Sequence, residues 1–171
     1  MVASLNALMQ WKTKNSMKII AFFLLLVSSI YAKSDYDHLF MRESVRFNIP
    51  FKLLKAIALT ESNLNHTAIN SSNSNGTSDF GLMQINSIHL NRYQNINETD
   101  LLNPSINVYI GAEILHRCIT KHKLNYKALN CYNGRVKNNN YSKKVIQNLL
   151  RINKGIDYDT IATSNGFIFT K

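Results

Sequence analysis

The chain has 171 residues, 45% of them hydrophobic, with 20 basic side chains against 10 acidic ones and a formal charge of +10. That length suffices for one domain with a real core. The basic residues are scattered, not gathered into an aromatic-spaced run, which argues against nucleic acid, and His38, His66, His89, His116 and His122 stand apart at no zinc-binding spacing.

Residues 1–32 read as a leader. "KIIAFFLLLVSSIYA", Lys18 to Ala32, is a short apolar run behind Lys12, Lys14 and Lys18, closed by a small residue. Its uninterrupted apolar part is about a dozen residues, against roughly 20 for a membrane-spanning helix. The pattern predicts a secretory signal, with an uncleaved membrane anchor as the alternative. Met17 makes a more natural start than Met1, so residues 1–16 read as an over-long start. No later segment is apolar and long enough to span a membrane. Removing three leader lysines leaves 17 basic residues against 10 acids, a charge of +7 on the exported part. A basic exported protein suits an anionic polymer, the cell wall among them.

The domain is expected over residues 33–155. Asp35 to Asn48 carries Tyr36, Leu39, Phe40 and Phe47 at roughly helical spacing. Pro50 suits the first turn of a second helix, Phe51 to about Ser62. On its wheel Phe51, Leu54, Ile57 and Ala58 share one side, and Lys52 and Lys55 share the other. Glu61 falls on the apolar side. Burial there would disfavour the charged form and raise its pKa, as a general acid requires; the alternative is a Glu at a helix end that simply reaches solvent. Asn63 to Ser78 is mostly Asn, Ser and Thr, and reads as a loop or irregular hairpin. "FGLMQINSIHL" then restores apolar content. "NPSINVYIGAEILHRCITKH" is a helix capped by Asn103, with Pro104 in its first position and apolar stripes on two sides, so it should be central. "YKALNCYNG" is a short helix ending in an Asn-Gly turn. "YSKKVIQNLLRINK" is an amphipathic surface helix with Val145, Ile146, Leu149 and Ile152 facing inward. The tail, 156–171, has no clear assignment. Cys118 and Cys131 are either one disulfide or two buried thiols.

The ordered set "ALTESNLNHTAIN" (58–70), "GTSDFGLMQINSIHL" (76–90), "NPSINVYIGAEIL" (103–115) and "ALNCYNG" (128–134) resembles the lytic transglycosylases of the soluble, lysozyme-like family. The nearest likeness is to small members that accompany secretion and conjugation machines. The likeness spans most of Ala58 to Gly134 and fades from about Arg135. It implies a mainly α, lysozyme-like α+β fold: one helical domain with a short polar hairpin inserted after the catalytic helix. It implies cleavage of the N-acetylmuramic acid–N-acetylglucosamine bond of peptidoglycan, with Glu61 as acid and base and the muramic C6 hydroxyl as nucleophile. Gly81 would let backbone approach a sugar, Met83 would offer an apolar wall or else pack in the core, and Gln84 would offer an amide. Tyr132 would bring its hydroxyl near Glu61 or the substrate N-acetyl group, and Asn133 would support the groove. No metal or other cofactor is implied. The implied partners are glycan strands and a secretion, pilus or conjugation apparatus, for a monomer in the periplasm. The chain departs from the family pattern at Cys131, where Ala is usual, and at Arg135, where Gly is usual.

Asp79 leaves a choice open. The stretch around it also resembles animal-type lysozymes, in which an Asp stabilises or attacks the sugar cation while the Glu acts as acid. On that reading the protein is a hydrolase using Glu61 and Asp79. Alternatively Asp79 caps or braces its loop through Ser and Thr neighbours. Glu113, on the central helix, reads as a structural acid or a surface charge. A non-catalytic wall-binding module is the remaining alternative.

Overall fold

The computed structural model describes residues 36–137 and 139–154. The leader, the over-long start and the tail expected from sequence lie outside the described residues.

Helix α1, Asp37–Phe47, ends where Asn48 turns left-handed and returns its N–H to Ser44. Asn tolerates that conformation better than most residues. Pro50 then stands at the N-cap of α2, Phe51–Ser62, one place earlier than the first turn. Helix α2 is enclosed more widely than its apolar wheel suggests. Leu53, Ala56 and Leu59 are buried together with Leu54, Ile57 and Ala58. The reason is that α2 packs against both α1 and the last helix. Asn63, again left-handed, closes α2 by donating to the carbonyls of Ala58 and Leu59.

The polar segment after α2 forms a small antiparallel sheet: β1 Ile69–Asn70, β2 Asp79–Phe80 and β3 Ile85–Asn86. Its register pairs Ile69 with Phe80 and Phe80 with Ile85, and pairs Asn70 with Asp79 and Asp79 with Asn86. Side chains alternate faces along a strand. Each two-residue strand therefore contributes one apolar and one polar side chain, and the sheet carries an apolar row beside a polar row. Phe80 and Ile85 sink into the core.

Two 3-10 segments, Ser87–Arg92 and Thr99–Leu102, lead to α3, Pro104–His122. The Asn103 side chain accepts from the N–H groups of Ser105 and Ile106, and Pro104 opens the helix without losing a bond. Val108, Ile110, Ala112 and Leu115 are fully buried, so α3 is central, as its two stripes require. Short α4, Tyr126–Tyr132, is capped by Asn125 and followed by Gly134 in a left-handed turn. Cys118 of α3 and Cys131 of α4 form a disulfide, with Cα atoms 5.8 Å apart. Helix α5, Tyr141–Asn153, lies along α2 and buries Tyr141, Ser142 and Val145, while Ile146, Leu149 and Ile152 pack at the core's edge. Among the described residues no helix is long and apolar enough to cross a membrane.

Candidate active site

Glu61 sits one residue before the end of α2 and is half-buried. The helix end is pinned by Ser62, whose hydroxyl donates to the Leu82 carbonyl at 2.8 Å. Across from it, the buried hydroxyl of Tyr141 donates to Glu61 Oε1 at 2.6 Å. Burial is the main influence on this carboxyl and lifts it from an ordinary 4.5 to about 7, helped by the charge of Asp79. The Tyr141 hydrogen bond and the Lys144 ammonium pull the other way without offsetting burial. Near neutral pH the group is therefore poised between holding and releasing its proton, which suits a residue that must do both in turn.

Tyr141 is itself kept protonated. Burial first, then the neighbouring Glu61 charge, holds its hydroxyl well above the ordinary range. Its ring stacks on Tyr132, with centroids 6.4 Å apart and planes 19° from parallel. Tyr132 lines one cleft with Glu61, and burial, then the Glu61 charge, holds its hydroxyl well above the ordinary range. Its hydroxyl donates at 2.8 Å to the carbonyl of Met83, not to Glu61. Tyr132 thereby fastens α4 to the turn between β2 and β3, and Tyr141 makes the contact to the acid. Tyr141 escapes the sequence reading because the family likeness fades before it. The available signal is its place four residues before Val145, on the inward stripe of α5.

Glu61 and Asp79 line one cleft of about 660 Å³. The polar row of the sheet explains how Asp79 is held. Its cross-strand neighbours donate to it, Asn70 to Oδ2 at 3.1 Å and Asn86 to Oδ1 at 2.7 Å. Asn73 adds a bond to Oδ2 at 3.0 Å. Three amides thus hold the carboxylate in a fixed orientation on the cleft wall. The bracing partners are asparagines rather than the Ser and Thr neighbours that the sequence suggests.

The turn "GLMQ" departs from expectation at Gly81, and at Met83 it takes the core alternative. Met83 is fully buried, and its sulfur sits where a Cβ on Gly111 of α3 would be, 2.5 Å from that position. It is core packing and forms no wall of the cleft. Gly81 is also buried, at φ +74°, and the backbone that it brings close is internal: a Cβ there would collide with Asn107 Nδ2 and lie 2.6 Å from the Leu101 carbonyl. Neither residue lines the cleft. Gln84 does line it, in a left-handed conformation, and its side-chain amide donates to the carbonyls of Gly81 and Ala68. Asn133 is exposed on the rim beside Gly134 and Arg135, and its Oδ1 accepts from Asn139.

Asn107, quoted within a motif but assigned no role from sequence, organises this turn. Fully buried on α3, it accepts from the Met83 N–H and donates to the Phe80 and Leu101 carbonyls, all three at 2.7 Å. His89 also lines the cleft, though in sequence it stands among the isolated histidines. Burial, then Arg92 and Arg117, holds its pKa below the ordinary value, so it is neutral at neutral pH. Glu113 is away from the cleft lining, bound by Arg117 at 2.9 Å and by the Tyr93 hydroxyl, which fits the structural role expected of it.

Residues 38–149 match the family described as the transglycosylase SLT domain. Protein IpgF of Shigella flexneri is 36% identical over 92 residues, covering 52% of this chain and 60% of that protein. Invasion protein IagB of Salmonella typhi is 31% identical over 140 residues, covering 77% of this chain and 87% of that protein. A peptidoglycan-binding-like protein of Escherichia coli O157:H7 is 35% identical over 115 residues, covering 62% of this chain and 69% of that protein. The match thus spans about 60% of the length of the Shigella relative.

Proposed function

The chain belongs to the transglycosylase SLT domain family, and from that premise we propose that it is a lytic transglycosylase acting on peptidoglycan. The bond cut is the β-1,4 link from N-acetylmuramic acid to N-acetylglucosamine, and the product is a 1,6-anhydro-muramic end. The observation that carries this reading is the single carboxyl of Glu61, lifted to about 7 and hydrogen-bonded by Tyr141 at the edge of a polar cleft.

In the first step Glu61 gives its proton to the glycosidic oxygen as the C1–O bond breaks, and the N-acetylglucosamine 4-hydroxyl leaves. The muramic N-acetyl carbonyl oxygen supports C1 as the bond opens, as in other substrate-assisted glycosidases. In the second step the Glu61 carboxylate takes the proton of the muramic C6 hydroxyl while O6 bonds to C1 and displaces the N-acetyl oxygen, restoring that group. Glu61 ends protonated, and no water is consumed. Tyr141 donates to the carboxylate between the steps and stabilises the anion, so that the acid can release its proton in the first step. One raised carboxyl serves as acid and then base because the nucleophile belongs to the substrate.

The test is to digest purified wall and weigh the released muropeptides. Ends one water lighter than the reducing sugar support this chemistry, and reducing muramic ends overturn it. The place of Asp79 in the same cleft as Glu61 supports one competing reading, hydrolysis, in which that carboxylate faces the sugar cation and water attacks, whereas its three amide bonds fit a loop brace. The weighing separates the two. Glu61→Gln separates either from a non-catalytic wall-binding module: the enzyme readings predict that wall clearing vanishes while wall binding persists.

The expected setting is the periplasm, with local opening of the wall for a secretion, pilus or conjugation apparatus. Support comes from the likeness to small secretion-associated family members and from one relative's name as an invasion protein.

A further inference from the structure

Beyond the main cleft, α2 and α5 enclose a second recess of about 320 Å³. Helix α5 lines it with Lys144, Gln147, Asn148 and Arg151, and α2 and its cap line it with Leu59, Thr60 and Asn63. Residues three, four and seven apart share a helix face, so α5 presents these four side chains together. The wall is ordered from within. The Thr60 hydroxyl donates to the Ala56 carbonyl and accepts from Asn148 Nδ2 at 2.9 Å, and Arg151 Nη1 donates to Asn148 Oδ1 at 3.2 Å. That chain orients the guanidinium with one nitrogen and leaves its other N–H groups for a ligand. The lining holds two cations and no acid. Tyr141, one turn before Lys144 on α5, bonds Glu61, and Thr60 of the recess adjoins Glu61 on α2, so the recess lies about one helical turn from the acid.

We infer that this recess takes the free carboxylates of the peptide stems carried by the glycan strand in the main cleft. The inference rests on the peptidoglycan reading above and adds to it a preference for strands with charged peptides. Two cations with neutral amides between them form a carboxylate site, and a peptide hanging from a sugar beside Glu61 is the anion that arrives with the substrate. A carboxylate seated against Lys144 also screens the cation that favours ionised Glu61, so substrate binding favours the protonated acid.

The test compares kcat/KM on peptide-bearing strands with free carboxylates and on the same strands after their carboxylates are converted to amides. The wild type should prefer the free carboxylates by about three- to tenfold, the range for two partly exposed ionic hydrogen bonds. The double variant Lys144→Gln/Arg151→Gln should bring the ratio near one, and Lys144→Arg should keep it. Lys121→Gln/Lys127→Gln removes the same charge from α3 and α4 and should also keep the preference. A wild-type ratio near one, survival of the preference in the α5 double variant, or its equal loss in the α3/α4 control overturns the site. Retention of the inert Glu61→Gln protein on free-carboxylate and amidated walls reads the recess without turnover. If the wild type cuts neither strand, the functional reading fails. The recess then stands or falls by whether that retention differs and depends on Lys144 and Arg151.

Discussion

Replacing Glu61 by Gln should make the protein more stable, and only above about pH 4.5. The carboxyl has a folded-state pKa of about 7 against an ordinary 4.5, a difference of 2.5 pH units. At about 1.36 kcal/mol per unit this corresponds to a ceiling of about 3.4 kcal/mol. The sign follows from which state holds the proton more tightly. Below pH 4.5 the carboxyl is protonated in both states and costs the fold nothing as a charge. Between 4.5 and about 7 the unfolded chain releases the proton and the folded one retains it, so wild-type stability falls with rising pH. Above that window both states are ionised, and the full desolvation cost is present. The substituted glutamine keeps the size of the side chain, can still accept from Tyr141 and carries no charge. The stability difference between variant and wild type should therefore be near zero in acid, open through the window and level off at about 2–3 kcal/mol, below the ceiling because Glu61 is only half-buried. Urea unfolding of both proteins across that pH range measures it. A difference that does not change with pH, or one that favours the wild type in alkali, refutes the account of a desolvated carboxyl.

Three further outcomes are expected. Tyr141→Phe removes the donor that stabilises ionised Glu61, so the alkaline fall of kcat/KM should move up by about one to two pH units, and movement downward counts against the contact. Asn107→Leu leaves the Met83 N–H and two carbonyls unpaired in the core, and should cost about 3–6 kcal/mol by denaturant unfolding; a loss under about 1 kcal/mol contradicts its organising role. Replacing Cys118 and Cys131 together by Ser opens a loop with a sequence separation of 13, and should lower stability by about 3 kcal/mol; an unchanged unfolding midpoint contradicts a stabilising bridge.

What is legible in the sequence is whatever repeats along it. The apolar period of α2 places Glu61 among hydrocarbon side chains, and Asn103 with Pro104 marks the start of α3 to the residue. The small sheet is legible only as a polar loop, because two-residue strands carry no readable alternation. Its register, which sets Asn70 and Asn86 on either side of Asp79, exists only once three strands meet. The roles of Gly81 and Met83 are hidden for a related reason. A tight turn gives no periodic signal of which side faces the core, and the partners that decide it, Asn107 and Gly111, lie on α3. Tyr132 reads from sequence as the residue that does what Tyr141 does, since two stacked tyrosines from different helices cannot be told apart by spacing.

The contact between Tyr141 and Glu61 joins residues 80 positions apart. The same late-arriving helix packs along α2, which carries the acid. A nascent or threading chain, with α5 still undocked, carries at position 61 an ordinary surface glutamate that has surrendered its proton. On the proposed chemistry such a chain lacks its raised acid until α5 has docked along α2, so the acid is assembled only with the fold.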